Sequence, residues 1–420
     1  MDYKLNLLHW PIDKQSRNFR VYVVQPARYE SDFHAEILDA CLKSLSGAGD
    51  YNLQAEPFDL ITFPEAFITA DVLCSALEQA AQQGLRGCVH IGLAANYEIG
   101  KHLFKISEAA RLVKNIRNIS SLAQTDLDGF ENWLIKQPAR DHINLACLFT
   151  SDSAGNLRVC LHPKLLRSKF ELSTFRDHNM AEADLHSLVT LLPENKNFLP
   201  ITIHPLICSD GLRQQNDRKE PRPLEVLTTH ANSFKERLPD HIDVVSLCTC
   251  TPQQTKGVEG ITARTEWHQD FRNSFVLAAS DDMCARHQYA TFIMSNFAHI
   301  PNSPAPKIGG LSGIFCPVPL GESSFPTYIQ TSSYEAPGDG FDIAWDPAKT
   351  SGRPRKKAYI AAIRPSEIGI GEKAVVLGFT ISRMLRDVPR WHSNPGLTSF
   401  EIYSVQRDLE SGNLTLKVKE

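Results

Sequence analysis

Short apolar runs alternate along this chain with longer amphipathic ones. Arg20-Val-Tyr-Val-Val-Gln25, stopped by Pro26, is β-branched and aromatic and predicts a buried strand. From His34 to Leu45 the positions Ile37, Leu38, Cys41, Leu42 and Leu45 recur at helical spacing, and Gly47 and Gly49 end the pattern. The order then repeats, with Phe58–Phe63 as strand, Ala70–Gln83 as helix and Cys88–Leu93 as a third apolar strand. A helix is expected over Ser107–Arg117. Ile143–Phe149 and Leu157–Leu161 are strands joined by Ser151-Asp-Ser-Ala-Gly-Asn156, whose residue types favour a tight turn. Further strands are predicted at Phe198–Ile207, Ile242–Cys250, Ser312–Cys316 and Tyr359–Ile363, and a helix at Leu224–Arg237. Such alternation predicts an α/β fold in which helices cover a mostly buried sheet.

Past Ile363 the alternation weakens. Phe400–Val405 and Leu414–Val418 flank Glu410-Ser-Gly-Asn413, a hairpin signature expected to be appended to the main domain. The chain is thus divided into a lead segment (1–17), a main domain (18–370) with an insertion around 213–240, and a C-terminal extension (371–420).

Composition narrows the classes of function. Apolar residues make up 42% of the 420 and charged residues 22%, a globular balance rather than a disordered one. The formal charge of -4, from 44 basic and 48 acidic residues, offers no excess to neutralise a phosphate backbone, so nucleic acid is not indicated. No apolar run approaches the ~18 residues of a membrane span, and no leader pattern opens the chain, so a soluble, cytoplasmic protein is expected. Its ten cysteines then read as reduced thiols rather than a disulfide framework.

Three segments place a reactive or charged side chain at the end of an apolar strand, where α/β folds put their working residues. In Ile61-Thr-Phe-Pro64-Glu65-Ala-Phe67, a carboxylate stands among proline and phenylalanines, an apolar setting that suits a general base. In His162-Pro-Lys164, followed by Glu171, the lysine offers a fixed positive charge for a developing oxyanion, and the glutamate a partner to hold it. In Pro205-Leu-Ile-Cys208-Ser-Asp210-Gly211 a thiol meets a turn, which exposes sulfur and aims backbone N–H groups at what it attacks. Taken singly, each is as well explained by an ordinary loop residue or an inert buried thiol. The conjunction changes that balance.

Glu65, Lys164 and Cys208, in this order and setting, resemble the glutamate, lysine and cysteine triad of the carbon–nitrogen hydrolase (nitrilase and amidase) superfamily. Pro64-Glu65-Ala-Phe67 resembles its P-E-x-F element, His162-x-Lys164-Leu with Glu171 its lysine element and second glutamate, and Ile207-Cys208-x-Asp210 its nucleophile element. Arg272-Asn273 and Gly310-Leu-Ser312-Gly-Ile314-x-x-Pro317 are similar to two later landmarks. The departures are equally specific. Ser209 and Asp210 follow the cysteine where true nitrilases carry tryptophan and glutamate, which favours amides over nitriles; Gln269 replaces the usual arginine before Asn273.

The resemblance implies a four-layer αββα sandwich and a thioester route. Cys208 attacks the carbonyl, Glu65 moves protons, Lys164 and the Ser209 N–H hold the oxyanion, and Glu171 supports Lys164 or the second step. It implies no metal or organic cofactor, a small-molecule amide or carbamoyl substrate, and homo-oligomers. The alternative is a module of the same fold that binds, senses or assembles within a larger protein system with little turnover. Other chemistries lack their residues. Cys248-Thr-Cys250 is half a zinc site with no second pair, H-E-x-x-H is missing, and Ser312 lies outside a G-x-S-x-G elbow. A papain-like pairing of the cysteine with His162 or His204 would leave Glu65 and Lys164 unexplained.

Overall fold

The computed structural model describes residues 3–13, 18–29, 32–45, 58–97, 101–167, 180–211, 221–251, 278, 282–288, 290–300, 307–308, 312–319, 341–343, 356–363, 368–382 and 397–419. The first half of the chain runs through β1 (Lys4–Ile12), β2 (Asn18–Pro26), α1 (His34–Leu45), β3 (Leu60–Thr62), β4 (Ile68–Thr69), α2 (Ala70–Gln83) and β5 (Cys88–Ala94). A short β6 (Phe104–Lys105) leads into α3 (Ile106–Arg117) and α4 (Asp128–Leu134), then β7 (His142–Ile143), β8 (Leu145–Ser151) and β9 (Leu157–Pro163). Next come β10 (Leu185–Pro193), β11 (Ile201–Ile207), α5 (Pro223–Thr229), β12 (Val244–Cys248) and β13 (Thr291–Ser295). The remainder is strand: β14 (His299–Ile300), β15 (Lys307–Ile308), β16 (Ser312–Pro319), β17 (Phe341–Ile343), β18 (Lys356–Ile363), β19 (Glu372–Ser382), β20 (Leu397–Arg407) and β21 (Leu414–Val418).

Two large sheets result. One orders its strands β1-β10-β11-β12-β13-β16-β18-β17, the other β21-β20-β19-β2-β3-β5-β8-β9 with β4 beside β5. Period-two alternation sorts the side chains between layers. Val21, Val23, Leu60, Cys88 and Cys160 of one sheet meet Val189, Ile203, Val244 and Ile293 of the other between the sheets. Tyr22, Val24, Ile61, Val89 and Ile91 point the opposite way, into a core shared with α1, α2 and α3. On the far side, Val245, Leu247 and Phe292 pack under Leu224 and Leu227 of α5. The fold is therefore a four-layer αββα sandwich, as expected. Among the described residues, no helix is long and apolar enough to cross a membrane.

Three features differ from the sequence reading. The lead segment contains β1, which pairs in parallel with β10 over nine residues and buries Trp10 completely. Beyond 370 the expected hairpin forms as β20 and β21, yet β19 lies inside the sheet, antiparallel to β2 from Ala374↔Pro26 to Ser382↔Asn18. The helix expected over Leu224–Arg237 is cut to α5 and a single turn at Ala231–Ser233. Its start is well specified, since Pro223 opens it and Glu225 accepts the Arg222 N–H. Its end follows from Thr229, whose hydroxyl donates back to the Glu225 carbonyl at 2.9 Å, with His230, Asn232 and Ser233 offering no helical drive.

Candidate active site

Toward one end of the sandwich the space between the sheets turns from apolar to polar. Leu60, Thr62 and then Glu65 descend from β3; Cys160, His162 and Lys164 step along β9 at every second residue; Val244, Ser246 and Cys248 do the same on β12. Thr62, His90, His162, Ser246, Glu65 and Lys164 are all buried. Thr62 Oγ1 lies 2.9 Å from Ser246 Oγ, which lies 2.7 Å from His90 Nδ1, and His90 Nε2 is 3.0 Å from His162 Nε2. Burial drives both histidines to the neutral form, His162 down to about 3 and His90 well below the ordinary histidine range, the latter with help from His162. This neutral chain forms the floor under the charged groups.

Lys164 Nζ donates to Glu65 Oε1 at 2.8 Å, with the two residues 1% and 4% exposed. A buried ion pair is held only when the remaining lone pairs are also met. Here Asn144 Nδ2 donates to the same Oε1 at 2.6 Å and the Cys250 N–H to Oε2 at 3.1 Å. The backbone is tied as tightly: the Glu65 N–H reaches the Thr249 carbonyl at 3.3 Å and the Lys164 N–H the Asn144 carbonyl at 2.9 Å. Pro64 and Ala66 wrap the β5 backbone at Gly92. A Cβ at position 92 would stand 2.4 Å from the Glu65 Cα and 2.5 Å from the Pro64 carbonyl oxygen, so only glycine fits there.

Cys208 follows directly on β11 and opens a single tight turn, Cys208–Gly211. Its φ of 46° lies in the left-handed region, which costs a non-glycine residue about 1–3 kcal/mol and persists only where the surroundings enforce it. Its Sγ is 3.1 Å from Thr251 Oγ1. The segment 249–251 therefore touches Glu65 through the Cys250 N–H and Cys208 through Thr251. Ser209 is buried beside the thiol, with its hydroxyl donating to the Leu166 carbonyl at 2.6 Å.

The structure thus brings Glu65, Lys164, Cys208 and Ser209 to one end of the inter-sheet space. Glu171, Arg272 and Asn273 lie outside the described residues. Cys248 and Cys250 are both buried in the core, Cys248 against His90 and Cys250 on the helix-covered side, where its backbone N–H also serves Glu65. The sequence assigned no role to Thr251, and it marked Asn144 only as the start of the β8–β9 hairpin and Asp210 only as part of the nucleophile element. Asn144 carried a visible signal, a lone amide between Ile143 and Leu145 in an apolar run. Among the described residues, no group of three or more His, Cys, Asp or Glu side chains is placed to hold a metal ion.

No protein-family model and no curated protein matches the sequence. Solved structures of an N-terminal amidase are similar in fold. One aligns over 62% of this chain and 55% of its own, with a TM-score of 0.32 and 9% identity. The complex of such an amidase with a Gln-Gly peptide aligns over 71% and 89%, with a TM-score of 0.38 and 7% identity. The matched region is thus about half the length of the first and most of the second. Likenesses this distant carry no argument about activity, and the sandwich described above rests on its own strand pairing.

Proposed function

We propose that this chain is a carbon–nitrogen hydrolase of the nitrilase and amidase type, acting on a non-peptide amide or carbamoyl group through Cys208, Glu65 and Lys164. The observation that carries the reading is the buried Lys164–Glu65 pair, linked by the 249–251 segment to a cysteine in a left-handed strand-end turn. Two buried charges and a strained cysteine are costly for packing alone. They suit catalysis, which rewards groups fixed in advance around the place where charge develops.

In this reading the Cys208 sulfur attacks the carbonyl carbon while Glu65 takes the thiol proton. The tetrahedral oxyanion is held by the Lys164 ammonium and the Ser209 N–H. Glu65 returns the proton to the leaving nitrogen, the C–N bond breaks, and a thioester remains on Cys208. Water, deprotonated by Glu65, attacks the thioester carbonyl, and collapse regenerates the thiol and releases a carboxylic acid. Glu171 is assigned to support of Lys164 or of this second step. The neutral floor of His90 and His162 favours the arrangement, because it adds no second cation to compete with Lys164 for Glu65.

The test is acid quenching during incubation with a panel of small primary and N-substituted amides, followed by peptide mass mapping. An acyl mass on the Cys208 peptide together with ammonia or amine release is expected. Turnover that persists in Cys208→Ala would overturn the nucleophile. Absence of both adduct and turnover across the panel would favour a binding module built on the same fold.

A further inference from the structure

The Asp210 carboxylate is engaged by two chain segments far apart in sequence. Oδ1 accepts the N–H of Leu165 at 3.0 Å and of Leu166 at 2.8 Å; Oδ2 accepts Leu165 at 3.1 Å and the Ile207 N–H at 3.2 Å. Leu165 and Leu166 directly follow Lys164, and Ile207 directly precedes Cys208. An acidic residue that merely closed its own turn would need only the Ile207 contact. The bonds to residues 165 and 166 instead reach across 45 and 44 positions of sequence. The Ser209 hydroxyl adds a second tie between the same segments through the Leu166 carbonyl.

We propose that Asp210 is a positioning residue that locks the Lys164 loop onto the Cys208 turn, so that ammonium and thiol keep one relative placement. The inference rests on the triad reading above. Its chemistry favours a carboxylate at this place: an ionised carboxyl only accepts, and its hydrogen-bond partners among the described residues are all backbone N–H donors. An asparagine would turn an NH₂ toward one of them. Burial pushes the Asp210 carboxyl up to about 7, opposed by the Lys164 charge and the three N–H donors. The clamp therefore depends on Lys164 electrically as Lys164 depends on it in space.

The experiment follows alkylation of Cys208 by iodoacetamide from pH 5 to 9, read by peptide mass mapping of the full chain. It compares the wild type, Lys164→Met, Asp210→Asn, Asp210→Glu and the Lys164→Met/Asp210→Asn double variant. A nearby cation lowers a thiol's titration range, so Lys164→Met is expected to slow labelling at pH 7 by about tenfold. Asp210→Asn is expected to slow it by about three- to tenfold and move the profile upward in pH, with Asp210→Glu recovering most of the loss. The double variant should match Lys164→Met alone, because Asp210 acts through Lys164. A purely structural role would lower melting temperature and leave the Cys208 pH profile in place.

An Asp210→Asn profile that superimposes on the wild type beside a displaced Lys164→Met profile overturns the clamp and leaves the triad standing. A double variant displaced further than Lys164→Met does the same. A Lys164→Met profile equal to the wild type, or a native Cys208 that never labels, overturns the triad reading and the clamp with it. Should Asp210→Asn fail to fold, Ser209→Ala removes the second tie while keeping its backbone N–H; a two- to threefold slowing is expected of roughly one lost hydrogen bond, and an unchanged rate counts against the clamp.

Discussion

β11 and β12 run side by side in parallel, and each leads into a cysteine. Cys248 pairs with Ile207, so the two thiols are neighbours in one small buried cluster with Ala146, yet they differ in backbone and polar contacts. Cys248 stays in the strand, in the inter-sheet space, with its sulfur 3.4 Å from His90 Nε2; burial pushes its thiol well above the ordinary range, and the Glu65 charge adds to the effect. Cys208 stands just past its strand, where a left-handed φ turns the sulfur toward Thr251 and a clamped turn follows. Both are almost fully buried, at 0% and 3%. Depth and residue type therefore do not separate a nucleophile from core. In the proposed reading the backbone turn does.

The largest test of that contrast is removal of each sulfur. If Cys208 is the nucleophile as proposed, Cys208→Ala should lower amide turnover by ~10⁴-fold or more, with a fall in stability no larger than that of a small core deletion. Next come Glu65→Gln and Lys164→Met, each expected to cost at least ~100-fold, with the double variant no worse than the poorer single one. Either change removes one charge of a buried ion pair, leaves the other without its counter-charge, and should also destabilise the fold by about 3–5 kcal/mol. Rates are to be read well below each melting point, and additive losses would argue against a shared centre.

Acid should sharpen the contrast through the neutral histidines. His162, His186 and His287 are lowered by burial to about 3, 4 and 3, whereas the unfolded chain takes up their protons near 6.5. Between those values the unfolded state binds more protons, so the stability these groups confer is present above pH 6.5 and lost as pH falls. At pH 5 each costs about 2 kcal/mol. Asp210, raised to about 7 by burial, works in the opposite sense, and it offsets roughly one of the three. Urea midpoints should therefore fall from pH 7 to pH 5, and a rising midpoint would refute the neutral state of these buried histidines.

Gly92→Ala should be milder, costing about 1–3 kcal/mol because the Glu65 backbone must yield to the new methyl, with a loss of turnover that exceeds the loss of stability. Smallest of all, Cys248→Ala should keep turnover within about threefold of the wild type and lower stability by roughly 1 kcal/mol, as expected for a small core deletion. Denaturant curves and amide hydrolysis on the same preparations decide both.

Much of this was legible in the residues. The helices at His34–Leu45 and Ala70–Gln83, the β8–β9 hairpin and the C-terminal hairpin follow from local periodicity and turn residues, which need no distant partner to be expressed. Glu65, Lys164 and Cys208 could be picked out because each stands at a strand end in a recurring order. β1, β10 and β19 were not legible. Their apolar residues reward burial only once another strand lies alongside, and β19 finds β2 across roughly 350 residues.

What the sequence determined by itself was the locally patterned elements, the main helices and the two hairpins, and the three candidate side chains, because period and turn chemistry are properties of neighbouring residues. The tertiary structure decided which of two adjacent cysteines leaves its strand, which amide and which backbone N–H complete the Glu65 carboxylate, and that Asp210 joins the two loops. Those outcomes depend on contacts at separations of 45, 79 and 185 residues. Hydrogen bonds of that reach exist only after two sheets have been packed face to face and water has been excluded between them.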